Sequence, residues 1–172
     1  MATYTLINSN VLTSSAASIT FSSIPATYTD LVLKASTRGD DGAVSYADVF
    51  YWFNNDRGSK YSWTYLSGSG SAASSSRNAA TTEINMYRVG TRAGATANTF
   101  GSWELYIPNY AGTTGKPVST FGASENNTTA AYITAEADYI SLTSAITRID
   151  IGSYSSNFVS GSSFYLYGIS NA

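Results

Sequence analysis

Neither cysteine nor histidine occurs anywhere in the 172 residues. Without cysteine there are no disulfides, thiolate metal sites or cysteine nucleophiles, so stability has to come from packing and ladder hydrogen bonds. Without histidine the commonest general base and the commonest metal ligand are missing, and a Ser/His/Asp hydrolase cannot be assembled. Any catalysis would fall to carboxylates, tyrosine or lysine. Charge is sparse as well. Nine Lys and Arg against eleven Asp and Glu give a net charge of -2, which leaves no electrostatic footprint for nucleic-acid phosphates. No run approaches the roughly 20 apolar residues of a membrane helix. Met1 to Asn8 lacks a basic region followed by an apolar core, so no secretory signal is expected. These absences predict synthesis in the cytoplasm, with neither nucleic acid nor membrane as a partner.

What is abundant is tyrosine, at 14 residues, within an aromatic content of 14%. Ser, Thr, Gly and Asn fill the spaces between short apolar runs, and the Glu, Lys and Leu content of helices is missing. A chain of this length fits one domain, 1–172, that buries roughly 70% of the surface its unfolded form exposes. Alternation predicts strands at Ser18–Phe21, Asp30–Ser36, Val49–Asn54, Tyr61–Leu66, Glu83–Val89 and Phe100–Ile107. It continues through Pro117–Ala123, Ala131–Ala135, Ile140–Thr143 and Ala145–Ile151, then a closing strand after Gly161-Ser162. Eight to ten short strands and no significant helix predict an all-β, antiparallel β-sandwich, most simply a jelly roll. The polar connection Asn55 to Lys60 reads as a hairpin, across which Tyr51 and Phe53 would meet Trp63 and Tyr65.

The closing run Phe164-Tyr165-Leu166-Tyr167-Gly168-Ile169 is apolar on both faces. Phe164, Leu166 and Gly168 fall on one, and Tyr165, Tyr167 and Ile169 on the other. The first face is expected in the core; the second meets another chain, a covering loop or water, which the tyrosine hydroxyl tolerates. Residues 1–15 are expected as an extended arm, with Tyr4, Leu6 and Ile7 available to add a strand to a neighbour. Tyr4, Leu6, Ile7, Tyr165 and Tyr167 together make the candidate interaction surface. Residues 67–82, rich in Ser, Gly and Ala, read as a long loop, either solvated or ordered by a neighbouring subunit.

Other chemistry has ordinary competing explanations. Asp40, Asp41 and Asp48 offer oxygen ligands but lack the spacing of a calcium loop, and a solvated turn accounts for them. Glu104 beside Trp103 could serve a glycosidase, with Glu83, Glu125 or Glu136 as its partner, but nothing in the sequence brings such a pair together. An outward Glu104 in an ion pair is expected instead. Trp52, Trp63 and Trp103 suggest a sugar platform, although alternation sends Trp63 and Trp103 to the sandwich interior. Asn126-Asn127-Thr128-Thr129 contains glycosylation sequons, which carry no weight without a secretory signal. No catalytic residue, cofactor or metal is predicted.

Four pieces carry a resemblance. They are Tyr28-Thr29-Asp30-Leu31, Lys60-Tyr61-Ser62, Ile107-Pro108-Asn109-Tyr110 followed by Lys116, and the end Gly161-Ser162-Ser163-Phe164-Tyr165-Leu166-Tyr167-Gly168-Ile169. Together they resemble a divergent group of small bacteriophage virion β-sandwich proteins, found as capsid decoration (cement) proteins and as tail-fibre domains. The resemblance implies a jelly-roll-like fold, a structural role and frequent assembly as a homotrimer. The implied partners are the major capsid protein and further copies of the chain, and the implied place is the capsid surface of a virion. No fibrous repeat or collagen-like stalk accompanies it, which favours a stand-alone decoration protein. The alternative is a tail-fibre or baseplate receptor-binding module contacting host glycan. The resemblance carries over no catalytic residues.

Overall fold

The structure is a computed structural model that describes residues 2–125 and 131–170. The sequon stretch from Asn126 to Thr129 lies outside the described residues. Twelve strands follow in order: β1 (Thr3–Val11), β2 (Ser18–Phe21), β3 (Asp30–Thr37), β4 (Tyr46–Phe53), β5 (Tyr61–Gly68) and β6 (Ala73–Thr81). They continue as β7 (Ile84–Thr91), β8 (Gly101–Ile107), β9 (Lys116–Glu125), β10 (Ala131–Ile140), β11 (Ile149–Ser153) and β12 (Ser163–Ser170). Among the described residues there is no helix.

Two antiparallel sheets pack as a sandwich. The larger has the order β1-β12-β3-β8-β9-β10-β5-β6, the smaller β2-β11-β4-β7. Set β5, β6, β9 and β10 aside and the remaining eight strands pair as β1 with β12, β2 with β11, β3 with β8 and β4 with β7. That nested pairing is a folded antiparallel ribbon, the jelly-roll arrangement. The hairpins β5–β6 and β9–β10 are insertions that lengthen the larger sheet from four strands to eight.

Period-two alternation explains which side chains meet between the sheets. Leu31, Leu33 and Ala35 from β3, Trp103, Leu105 and Ile107 from β8, and Phe164 and Leu166 from β12 face Ile19, Phe21, Val49, Tyr51, Phe53, Ile149 and Ile151 of the smaller sheet. Each fully buried side chain of this kind contributes about 1.5–3 kcal/mol before ordering costs. Gly168 lies under the ring of Tyr28, where a Cβ would sit 2.3 Å from the ring, so glycine is required by close approach. The closing strand β12 is hydrogen-bonded on both edges, between β1 and β3.

Four expectations change. Residues 3–11 of the expected arm form β1, in register with β12 from Thr3 opposite Ser170 to Val11 opposite Ser163, because the pairing satisfies backbone groups a free arm would leave to water. The expected loop 67–82 contains β6, held by its ladder to β5 and not by side-chain burial. The loop itself shrinks to a turn around Gly70, at φ +86°, closed by Ser69 N–H donating to the Ala72 carbonyl at 2.9 Å. The expected hairpin after β4 is a crossover: β4 belongs to the smaller sheet and β5 to the larger. Tyr61 makes that crossing specific, accepting from Phe53 N–H at 3.1 Å and donating to the Asp56 carbonyl at 2.7 Å from a fully buried position. Finally, Ala131–Ile140 is one strand where two were expected, since its alternation is unbroken through Glu136 and Asp138.

Candidate interaction surface

The outer face of the larger sheet is one continuous surface. Cross-strand register places Leu66, Ala135, Phe121, Glu104, Lys34, Tyr165 and Ser9 in a single row from β5 to β1. The neighbouring row runs Thr64, Ala137, Ser119, Tyr106, Val32, Tyr167 and Leu6. Tyr4, Leu6, Leu66, Phe121, Ile133 and Tyr139 are each at least half exposed on this face. Apolar groups of this size spread over one flat side mark an interaction site more often than a solvated surface.

Charge on the face is nearly self-cancelling. Lys34 Nζ and Glu104 Oε2 lie 2.6 Å apart, both about half exposed, and the carboxylate holds the lysine above its usual range. Glu104 thus pairs with a lysine on the outer side of β8, while Glu136 points into the sandwich from β10, so the two do not form a catalytic couple. On the face, a depression of about 390 Å3 is lined by Lys34, Ser36, Glu104, Phe121 and Tyr165.

The predicted surface residues separate. Tyr4 and Leu6 are exposed, Tyr165 and Tyr167 are half-buried beside them, and the rings of Tyr4 and Tyr167 meet edge to face at 6.4 Å. Ile7 departs from this group. It sits at a bulge where the register between β1 and β12 shifts, and it packs against the core. Ile169, assigned by alternation to the outer face, is buried. Sequence reasoning missed Leu66 on β5 and also Phe121, Ile133 and Tyr139, the outward positions of β9 and β10, several of whose inward positions are polar. Their signal was the uninterrupted alternation of β9 and β10.

Those inward polar positions form a second cluster. Glu136 and Asp138 lie on one face of β10, each about 4% exposed. Tyr51 of β4 donates its hydroxyl to Asp138 Oδ2 at 2.8 Å, Thr120 of β9 donates to the same oxygen at 3.3 Å, and Tyr87 N–H of β7 donates to Glu136 Oε2 at 3.3 Å. Glu136 Oε1 and Asp138 Oδ1 receive no donor from another residue, the two carboxyls lie within hydrogen-bonding reach of each other, and among the described residues neither has an ion-pair partner. Burial therefore raises both above the usual carboxylate range. The Asp138 charge pushes Glu136 further, whereas the Tyr51 and Thr120 hydroxyls hold Asp138 back. The same burial and the facing carboxylate keep the Tyr51 phenol protonated. Arg88, next to Tyr87 on β7, is held in a cage of rings, 4.1 Å from Tyr46, 4.6 Å from Tyr87 and 4.8 Å from Tyr132. The cluster is enclosed by packed strands in the interior of the sandwich.

Remaining candidates resolve into structural roles. Asp40 accepts from Asn157, Asp41 pairs with Arg92 at 3.0 Å, and Asp48 accepts from Arg88 N–H at 2.9 Å. Among the described residues no group of three acidic side chains could hold a metal. Trp103 is in the core and donates to Thr37 Oγ1 at 3.1 Å, and Trp63 packs against the core's margin, stacked on Tyr65. Trp52 differs: it lies on the outer face of the smaller sheet, stacked beside Phe50 at 5.7 Å with Arg57 over its ring at 4.3 Å. Lys116, fully buried, donates to the carbonyls of Gly112 and Thr114 at 2.7 and 2.5 Å, which ties the loop before β9 together. No family model, curated protein or solved structure matches this chain.

Proposed function

We propose that this chain is a non-enzymatic bacteriophage virion protein, a capsid decoration protein that lays the outer face of its larger sheet on the major capsid protein and reinforces contacts between capsid subunits. The observation that carries the reading is the broad outer face, its central charges Lys34 and Glu104 paired with each other, with Tyr4, Leu6, Leu66, Phe121, Ile133 and Tyr139 exposed. Support also comes from the sequence resemblance, whose closing motif forms β12. On this reading the protein is made in the host cytoplasm and resides on the capsid surface, without cofactor, nucleic acid or membrane. Tyrosine-rich, low-charge surfaces suit adaptable and moderately polar contacts. The test is binding to mature capsids stripped of decoration. Wild-type protein is expected to saturate them, and Phe121→Glu to lower occupancy at least tenfold while its circular dichroism is unchanged. Equal occupancy by the two proteins would sink the proposal.

The alternative, a receptor-binding tail module, has one observation in its favour. Phe50 and Trp52 lie side by side on the smaller sheet, flanked by the ion pairs Arg57–Glu83 and Arg148–Asp150, an apolar floor with polar walls of the kind that sugars recognise. Glycan-array binding lost in Trp52→Ala, with no binding to capsids, would favour that reading.

A further inference from the structure

The larger sheet ends in two unlike edges. At one end β1 carries the bulge at Ile7, which breaks its register. Bulges, lysines and prolines are the usual devices that stop an edge from pairing with another chain. At the other end β6 has its second edge unpaired and few of those devices. From Ala73 to Asn78 its register with β5 is continuous, and the bulge comes only afterwards, where Ala80 takes φ 55°. That stretch, Ala73-Ser74-Ser75-Ser76-Arg77-Asn78, contains neither proline nor lysine.

Eight of the nine residues of β6 are exposed, on both faces, so this chain provides it with almost no side-chain burial. A strand in that position gains most from a second ladder. Its small neutral side chains also permit what most sequences forbid, a strand facing its own copy.

We propose that β6 pairs antiparallel with β6 of a second copy of this chain about a two-fold axis beside Ser75, joining two eight-stranded sheets edge to edge. The two-fold requires one residue to face itself, because opposed residues share a face of the sheet. An axis at Arg77 would set two guanidinium groups directly opposite, which is unfavourable. At Ser75 the pairs are Ser75 with Ser75, Ser74 with Ser76, and Ala73 with Arg77, which avoids like charge and stays within the regular stretch. The axis also sets side by side two copies of an apolar depression of about 490 Å3, lined by Leu66, Gly68, Ala73, Ser75 and Ile133. Five paired residues and this contact are small beside the roughly 1,200–2,000 Å2 that stable interfaces bury, so the dimer is concentration-dependent.

The absence of native cysteine makes the test direct. Ser75→Cys is expected to form a disulfide-linked dimer under mild oxidation at high protein concentration, since opposed antiparallel residues lie about 4.5–5.5 Å apart between Cα atoms, within disulfide range. Ser18→Cys, exposed on the short edge strand β2, measures chance collision and is expected to stay monomeric. In sedimentation equilibrium, Ser75→Lys is expected to weaken wild-type dimerisation about tenfold or more through like-charge opposition. Cross-linking of Ser75→Cys no faster than Ser18→Cys overturns the proposal, as does wild-type sedimentation only as a monomer or as a trimer. Faster cross-linking through Arg77→Cys overturns the register. Capsid binding is a separate measurement, so failure here leaves the decoration reading intact.

Discussion

The jelly-roll half of the molecule and the half built from inserted hairpins solve the same problem differently. Between β12-β3-β8 and the smaller sheet, inward positions are mostly hydrocarbon and aromatic and are buried, while the edge strand β1 stays largely exposed. Beneath β9 and β10 the inward positions include, beside Val118, Tyr132 and Ile140, the buried polar residues Thr120, Ser124, Thr134, Glu136 and Asp138, and by β6 burial has ceased. The first half is held by apolar area; the second depends on directional hydrogen bonds and on keeping a proton within a carboxyl pair. A sheet extended past its partner sheet loses its cover, and its chemistry changes strand by strand.

The contrast predicts a graded response to mutation. Leu33→Ala, at the centre of the apolar half, is expected to cost about 2–5 kcal/mol in denaturant unfolding, through lost transfer energy and the cavity left behind. Tyr51→Phe keeps the packing but removes the 2.8 Å donor to Asp138 Oδ2, leaving that buried oxygen only the longer bond from Thr120, and should cost about 1–3 kcal/mol. If Tyr51→Phe proved as costly as Leu33→Ala, the division between the halves would fail.

Proton linkage sharpens the same comparison. Glu136 and Asp138 have folded-state pKa values raised above the unfolded carboxylate range, so the contribution of the pair is fully present below that range and is lost as pH rises through the raised values. Thermal stability is therefore expected to decline from mildly acidic to alkaline pH. Glu136→Gln, which cannot ionise, should flatten that decline; an unchanged slope would show that the pair does not control it. The smallest effect belongs to the outer face, where Lys34→Ala removes an exposed ion pair and should change stability by about 1 kcal/mol or less.

Much of the jelly-roll half was legible in the sequence. Ser18–Phe21 and the Phe164/Leu166 core face follow from alternation, because one side of each strand must leave water. The inserted half was less legible. Ala73–Thr81 has no alternation to read, since both faces stay wet and only the ladder to β5 makes it a strand. Glu136 and Asp138 gave no sign of burial, because their polarity contradicts the position that the surrounding alternation assigns them. Ile7 left the surface through a bulge, a one-residue event that periodicity cannot anticipate.

By itself the sequence determined an all-β chain without thiol or imidazole chemistry, since composition and period two are local properties. The tertiary structure decided that Tyr61 begins a strand of the opposite sheet, that two carboxyls share the interior, and that Leu66, Phe121 and Ile133 join Tyr4 and Leu6 on one face. Those outcomes depend on which strands lie beside one another, and pairing between distant segments is fixed by the cooperative packing of the whole sandwich.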